Sequence, residues 1–122
     1  MWEVVTTSEF DEWFESLDDA AKIEIIAKVT LLKQLGPKLP RPHSDTLKAS
    51  KHSNLKELRA ETAQQVIRIA FAFDPNRAAI LLLGGDKSGI SQKLFYKRFI
   101  QKADRLYDAH LAQIRSAKRG SE

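Results

Sequence analysis

The chain has 122 residues and 43% hydrophobic content, enough for one compact core and too little for two ordinary domains, so residues 1–122 are read as a single domain. It has no cysteine, which excludes a disulfide framework and thiolate metal sites, and no apolar run near the ~20 residues of a transmembrane helix. The net charge of +4 hides an asymmetry: residues 1–30 hold eight acids against Lys22 and Lys28, so the rest is strongly basic, the footprint of a nucleic-acid binder.

Taken in order, Trp2 to Thr6 (WEVVT) reads as a short strand, with neither the basic head nor the apolar run of a secretory signal, and the expected location is the cytoplasm. Ser8 with Asp11 reads as a helix N-cap followed by an acid at the third position, and Ser16 with Asp19 as a second. After it Leu17, Ala21, Ile25, Val29 and Leu32, joined by Ile26 and Leu35, recur at helical spacing until Gly36-Pro37 ends the run. Residues 36–54 form a loop with three prolines and the cations Lys38, Arg41, Lys48 and Lys51, in which only Asp45 to Lys48 could pair as a strand.

Three strands follow, LKELRAE, QQVIRIAFAFD and AAILLLGGDK, the last two separated by the turn residues Asp74-Pro75-Asn76. A turn between Ala63 and Gln64 sets Leu58 opposite Ile69 and Arg59 opposite Arg68, on opposite faces of the sheet. One face then carries Leu58, Ile67, Ile69, Phe71 and Phe73. The other carries the two arginines among Glu57, Glu61, Val66, Ala70 and Ala72, which predicts a shallow cationic hollow on a low floor. Like charges directly opposite are unfavourable, so Glu57 and Glu61 or a bound polyanion must offset them. Ile80 to Leu83 has no polar side and reads as a central strand, running into Gly84–Gly89 as a flexible turn at the sheet's edge.

Ser91 can cap a last helix with the stripe Leu94, Phe95, Phe99, Ala103, Leu106, His110 and Ile114 and a basic side of Lys93, Lys97, Arg98, Lys102 and Arg105. Residues 117–122 are expected to fray. The architecture is α+β: an N-terminal strand, a helical hairpin, an antiparallel β-meander and a long C-terminal helix.

The LKELR, RIAFAFD and ILLLGGDK segments, with the helix YKRFIQKADRLYDAHL, resemble in their order the RelE/ParE toxin superfamily and its HigB-like, phage Gp49-related branch. The resemblance implies a RelE-like fold and the toxin of a type II toxin-antitoxin system. Such a toxin cleaves mRNA, in many members on the ribosome, until an antitoxin covers it, here one expected to be a helix-turn-helix, HigA-like protein. Arg59 and Arg68 match the family's basic active-site strands, Lys87 the basic residue after the last strand, and Tyr96 or Phe95 an active-site aromatic. Glu57 stands where some members have a lysine, and the last helix is longer than in the shortest members. The alternative within the fold is a non-cleaving protein, a ParE-like DNA gyrase inhibitor or an inactive nucleic-acid-binding protein.

RNA can be cut without metal or cofactor because its own 2′-hydroxyl attacks the adjacent phosphorus, leaving a 2′,3′-cyclic phosphate; fixed cations stabilise the phosphorane. In this scheme Arg59 and Arg68 hold the phosphate, Lys87 assists charge neutralisation or proton transfer, and Tyr96 stacks on a base or donates a proton. The plain alternative for the arginines is surface ion pairing with Glu57 and Glu61, worth only ~0–1 kcal/mol. Lys48, Lys51, His52, Lys56, Lys93 and Lys97 are candidate RNA contacts, Lys56 the weaker because parity puts it on the other face. His43 or His52 could serve as general base, whereas His110 reads as a packed, hydrogen-bonded side chain. The three histidines lack the close spacing of a metal site.

Overall fold

Among the described residues five strands form one sheet, with two helices on one face and a third on the other. The computed structural model describes residues 1–120. Its elements are β1 (Glu3–Thr6), α1 (Ser8–Glu15), α2 (Asp19–Leu35), a 3-10 turn (Gly36–Lys38), β2 (Ser44–Thr46), β3 (Leu55–Glu61), β4 (Val66–Phe73), β5 (Ala78–Asp86) and α3 (Gln92–Gly120).

Strands β2 to β5 pair antiparallel, and β1 closes the other side by running parallel to β5. The β3/β4 register is the one expected, with Leu58 opposite Ile69 and Arg59 opposite Arg68. No Asn-Gly turn sets it. Instead the Thr62 hydroxyl accepts from the Gln64 and Gln65 N–H groups, and the Thr62 N–H donates to the Gln65 carbonyl at 3.0 Å. Strand β5 lies between β1 and β4, and Ile80, Leu81 and Leu82 are buried on both faces, as their unbroken apolar run requires.

Helices α1 and α2 cover the face of Leu58, Ile67, Ile69, Phe71 and Leu81 with Phe10, Ile25 and Leu32. Helix α3 covers the opposite face, setting Phe95, Phe99, Ala103 and Tyr107 on Leu55, Ala70, Ala72, Ile80 and Leu82. Each large buried side chain contributes about 1.5–3 kcal/mol of hydrophobic stabilisation. Because the acidic α1 and the basic α3 take opposite faces, the charge asymmetry of the sequence becomes a two-sided molecule.

The caps sit one or two positions from where the sequence put them. Thr7, not Ser8, caps α1: its hydroxyl accepts from the Phe10 N–H at 3.0 Å and donates to the Leu82 carbonyl at 2.6 Å, binding the helix start to β5. Asp18, not Ser16, caps α2 by accepting from the Ala21 N–H at 2.9 Å; Ser16 closes α1 by donating to the Trp13 carbonyl. Ser91 does accept from the Leu94 N–H at the start of α3. Ile26 and Leu35, expected on the buried stripe, are exposed, because only Ala21, Ile25 and Leu32 of α2 meet the sheet squarely.

Gly84 and Gly85 are not in a loop. They continue β5, paired with Ile69 and Arg68, and a side chain at Gly84 would stand 2.2 Å from the Trp13 ring. The helical hairpin and α3 thus both lean on a strand end kept bare by glycine. Helix α3 continues through Gly120, past the expected fraying point, while the expectation for Ser121 and Glu122 lies outside the described residues.

Candidate active site

The register of β3 and β4 brings Arg59 and Arg68 side by side on the face that α3 covers, and the sequence Glu57-Leu58-Arg59 puts Glu57 on that face too. Glu57 is only 3% exposed, and its carboxylate is the centre of the arrangement. Arg59 donates to Oε2 through Nε (3.0 Å) and Nη2 (2.9 Å), while Tyr96 reaches down from α3 to donate its hydroxyl hydrogen to Oε1 at 2.7 Å. Arg68, 6% exposed, donates from Nε to the Tyr96 oxygen at 3.3 Å and from Nη1 to the Ile67 carbonyl at 2.9 Å, with Nε 3.7 Å from Glu57 Oε1. Opposite Arg68 on β5 stands Gly85, which leaves the guanidinium room on that side.

Glu57 therefore offsets the repulsion between the facing arginines. Glu61 does not: it is exposed at the end of β3. Arg59 has a second acid, donating from Nη2 to Asp45 Oδ2 at 3.2 Å, and Arg41 approaches the same oxygen at 3.3 Å. The floor expected of Ala70 and Ala72 has a different use. Both are buried under α3, so the small side chains seat the helix, and what is left of the hollow lies at its Arg59/Arg68 end. There it joins a cleft of about 360 Å³ between Glu24 and Lys28 of α2 and Arg59–Glu61 of β3.

Lys87 follows the last strand, and its N–H donates to the Val66 carbonyl at 2.9 Å. Its ammonium lies 5.7 Å from the Tyr96 ring centroid and donates to Gln92 Oε1 at 3.3 Å. Partial burial, and then the nearby Arg68, lower its pKa, which makes it a readier proton donor than a free lysine. Burial, followed by the hydrogen bond to Glu57, raises the pKa of Tyr96 and keeps its proton in place. For Arg59 burial works against the charge, but the Glu57 hydrogen bond and charge outweigh it and the pKa rises further.

The structure brings Arg59, Arg68, Lys87 and Tyr96 together and adds Glu57, which the sequence offered only as a counterion. Phe95, the other aromatic considered, is buried in the α3 core. Lys93 and Lys97 are exposed on α3 beside Tyr96, and Lys48 is exposed just after β2. Lys56 is partly buried on the opposite face from Arg59, as its parity requires. Lys51 and His52 are not at the cluster. Lys51 pairs with Asp108, and His52 Nε2 lies 2.8 Å from the same carboxylate, about 18 Å beyond Tyr96 along the helix at ~1.5 Å per residue. With Ser50 bonded to Asp104 at 2.5 Å, they fasten the loop to α3. His43 lies nearer, its carbonyl accepting from the Arg59 N–H and its Nδ1 2.7 Å from Lys28 Nζ. His110 is hydrogen-bonded to the buried Asp74 at 2.7 Å.

Set beside known proteins, residues 12–108 match the family model of phage-derived Gp49-like proteins. Two Mycobacterium tuberculosis proteins named as candidate toxins are similar: HigB2, 38% identical over 107 residues covering 87% of this chain and 53% of that protein, and HigB3, 42% identical over 109 residues covering 89% and 93%. The chain thus spans about half the length of HigB2 and nearly all of HigB3. Among solved structures, the archaeal RelE–RelB complex from Pyrococcus horikoshii OT3 has a chain that superposes with a TM-score of 0.53 at 14% identity, covering 72% of this chain and 97% of that one. That likeness is one of fold.

Proposed function

The chain belongs to the phage-derived Gp49-like family, and from that premise we propose that it is the toxin of a toxin-antitoxin pair, an endoribonuclease that cuts mRNA by metal-independent transesterification. One observation carries the reading: a tyrosine hydroxyl 2.7 Å from a buried carboxylate, inside a fork of two arginines and beside a lysine. RNA phosphate supplies the charge that such a fork fits, since planar guanidiniums match phosphate oxygens bidentately.

In the proposed reaction the 2′-oxygen bonds to phosphorus and the bond from phosphorus to the 5′-oxygen breaks. The 2′-hydroxyl proton passes to the Tyr96 oxygen as the Tyr96 proton passes to Glu57, a relay that spares the carboxylate from reaching the surface. Arg59 and Arg68 stabilise the phosphorane charge. Lys87, with its lowered pKa, protonates the departing 5′-oxygen. The products are a 2′,3′-cyclic phosphate and a 5′-hydroxyl. Lys48, Lys93 and Lys97 extend the cationic surface over which the strand runs, on or off the ribosome. An antitoxin, HigA-like by analogy with the HigB relatives, neutralises the toxin by covering this face.

A second reading, a non-cleaving member of the fold, draws on one observation: Glu57 already occupies the arginines that a phosphate would need. The two differ in a single experiment. The purified chain should cut single-stranded RNA in EDTA and leave cyclic-phosphate ends, and Arg68→Lys, which keeps the charge but loses the fork, should cut at least tenfold more slowly. Cleavage strictly dependent on a divalent metal, or a folded Arg68→Lys with undiminished activity, would remove the proposed centre. No cleavage, free or ribosome-bound, with arrest of growth intact, would favour the second reading.

A further inference from the structure

The cleft of about 360 Å³ that opens from the two arginines toward α2 has its own chemistry. Such a volume suits one nucleotide and lies near the lower end of small-ligand sites. Its walls carry one cation beyond the arginines, Lys28, and two acids, Glu24 and Glu61.

Lys28 and Glu24 are four residues apart on α2, a spacing at which opposite charges ordinarily pair. They form no ion pair among the described residues. The Lys28 ammonium lies instead 2.7 Å from His43 Nδ1, without a carboxylate in ion-pair contact among the described residues. His43 is itself bound to the active strand, since its carbonyl accepts from the Arg59 N–H at 2.9 Å. Lys28 is thereby held in a fixed relation to Arg59. The two carboxylates, free of ion-pair partners among the described residues, are acceptor-only groups. A groove for phosphates alone has no use for them. A nucleotide whose base bears an amino group answers both features, offering a phosphate to the lysine and N–H donors to the carboxylates.

We propose that this cleft is the nucleotide subsite next to the scissile phosphate, with Lys28 holding the neighbouring phosphate and Glu61 and Glu24 accepting from the amino edge of the base, so that cytosine and the purines are taken in preference to uracil. The inference rests on the RNA-cleaving reading above and deepens it by naming which nucleotide the site selects.

The test is equilibrium binding of single-stranded RNA by the full chain across a salt series, with oligocytidine and oligouridine of equal length. Replacing Lys28 with glutamine should reduce the slope of log K against log salt by about 0.7, the loss of one single-strand phosphate contact, and Lys28→Arg should restore it. Lys33→Gln, an equal change of net charge at an exposed position of α2 outside the cleft, should leave the slope alone. The wild type should prefer oligocytidine by about tenfold, and Glu24→Ala/Glu61→Ala should erase that preference. Equal slopes for Lys28→Gln and Lys33→Gln, or equal wild-type affinity for the two oligomers, would overturn the subsite while leaving RNA recognition standing. Unchanged RNA binding with weakened antitoxin binding in Lys28→Gln would give the cleft to the protein partner. A wild type with no salt-dependent RNA affinity would overturn the ribonuclease reading beneath it.

Discussion

Tyr96 of α3 donates a 2.7 Å hydrogen bond to Glu57 of β3, and this contact is where the long helix meets the charged end of the sheet. The same tyrosine oxygen receives the Arg68 Nε–H, so one hydroxyl links both strands of the hairpin to the helix above them. Tyr96→Phe deletes that link without changing the ring. A hydrogen bond to a charged partner contributes about 1.5–3 kcal/mol, and the variant should lose stability in that range, read from the urea midpoint at constant m. With the relay removed, RNA cleavage should fall by roughly 10²-fold or more while RNA affinity holds. A variant that loses stability but cleaves at the wild-type rate would make Tyr96 a structural residue only.

Gly84 and Gly85 sit at the far end of β5, where each permits a different approach. An added Cβ at Gly84 would lie 2.2 Å from Trp13, a contact no side chain tolerates, whereas at Gly85 it would lie 3.1 Å from Phe95. Gly84→Ala must push the α1 indole off the strand and should cost about 1–3 kcal/mol, the range for overpacking. Gly85→Ala should cost less, because the Phe95 edge needs to yield only slightly. Thermal unfolding of the two variants checks the order, and a Gly85→Ala less stable than Gly84→Ala would contradict this packing.

The parts of this architecture that could be read from the chain are those set by local periodicity. Alternation in LKELRAE and VIRIAFAF fixed the β3/β4 register because a slip by one residue would have turned Ile67, Ile69 and Phe71 to the charged face. The apolar run of β5 likewise announced a central strand. Features that depend on distant elements were not legible. Glu57 stands beside arginines in sequence and looks like a surface partner; it becomes buried only because α3 brings Tyr96 over it. The signal available was an acid in mid-strand on the face shared with Ala70 and Ala72. Gly84-Gly85 reads as a turn until Trp13 and Phe95 arrive from two helices. Lys51 and His52 look like free loop side chains, and Asp108, the acid that claims both, lies in a helix more than fifty positions away. The parallel pairing of β1 with β5 has no local signature at all.

Asp86 holds the end of the sheet that presents Lys87, and this makes the site's geometry sensitive to acid. Its Oδ1 accepts from the Val66 N–H at 3.0 Å and from the Ser88 N–H and hydroxyl at 2.9 and 2.6 Å. Burial pushes its pKa up, but the Ser88 and Val66 hydrogen bonds outweigh this, and the folded-state value lies below the usual 3.8. A carboxylate with a depressed folded pKa stabilises the fold fully above its unfolded pKa, and that stabilisation fades as pH falls through the folded value. Asp108 acts in the same direction, its pKa lowered by hydrogen bonds first from Lys51 and then from His52. Urea midpoints should therefore hold steady from pH 7 to about 5 and drop below pH 4, near the ordinary carboxylate value. Asp86→Asn should start less stable and show a shallower acid limb, with faster amide exchange at Val66, since the contact that titrates is gone. An acid limb identical to that of the wild type would show that Asp86 does not carry this dependence.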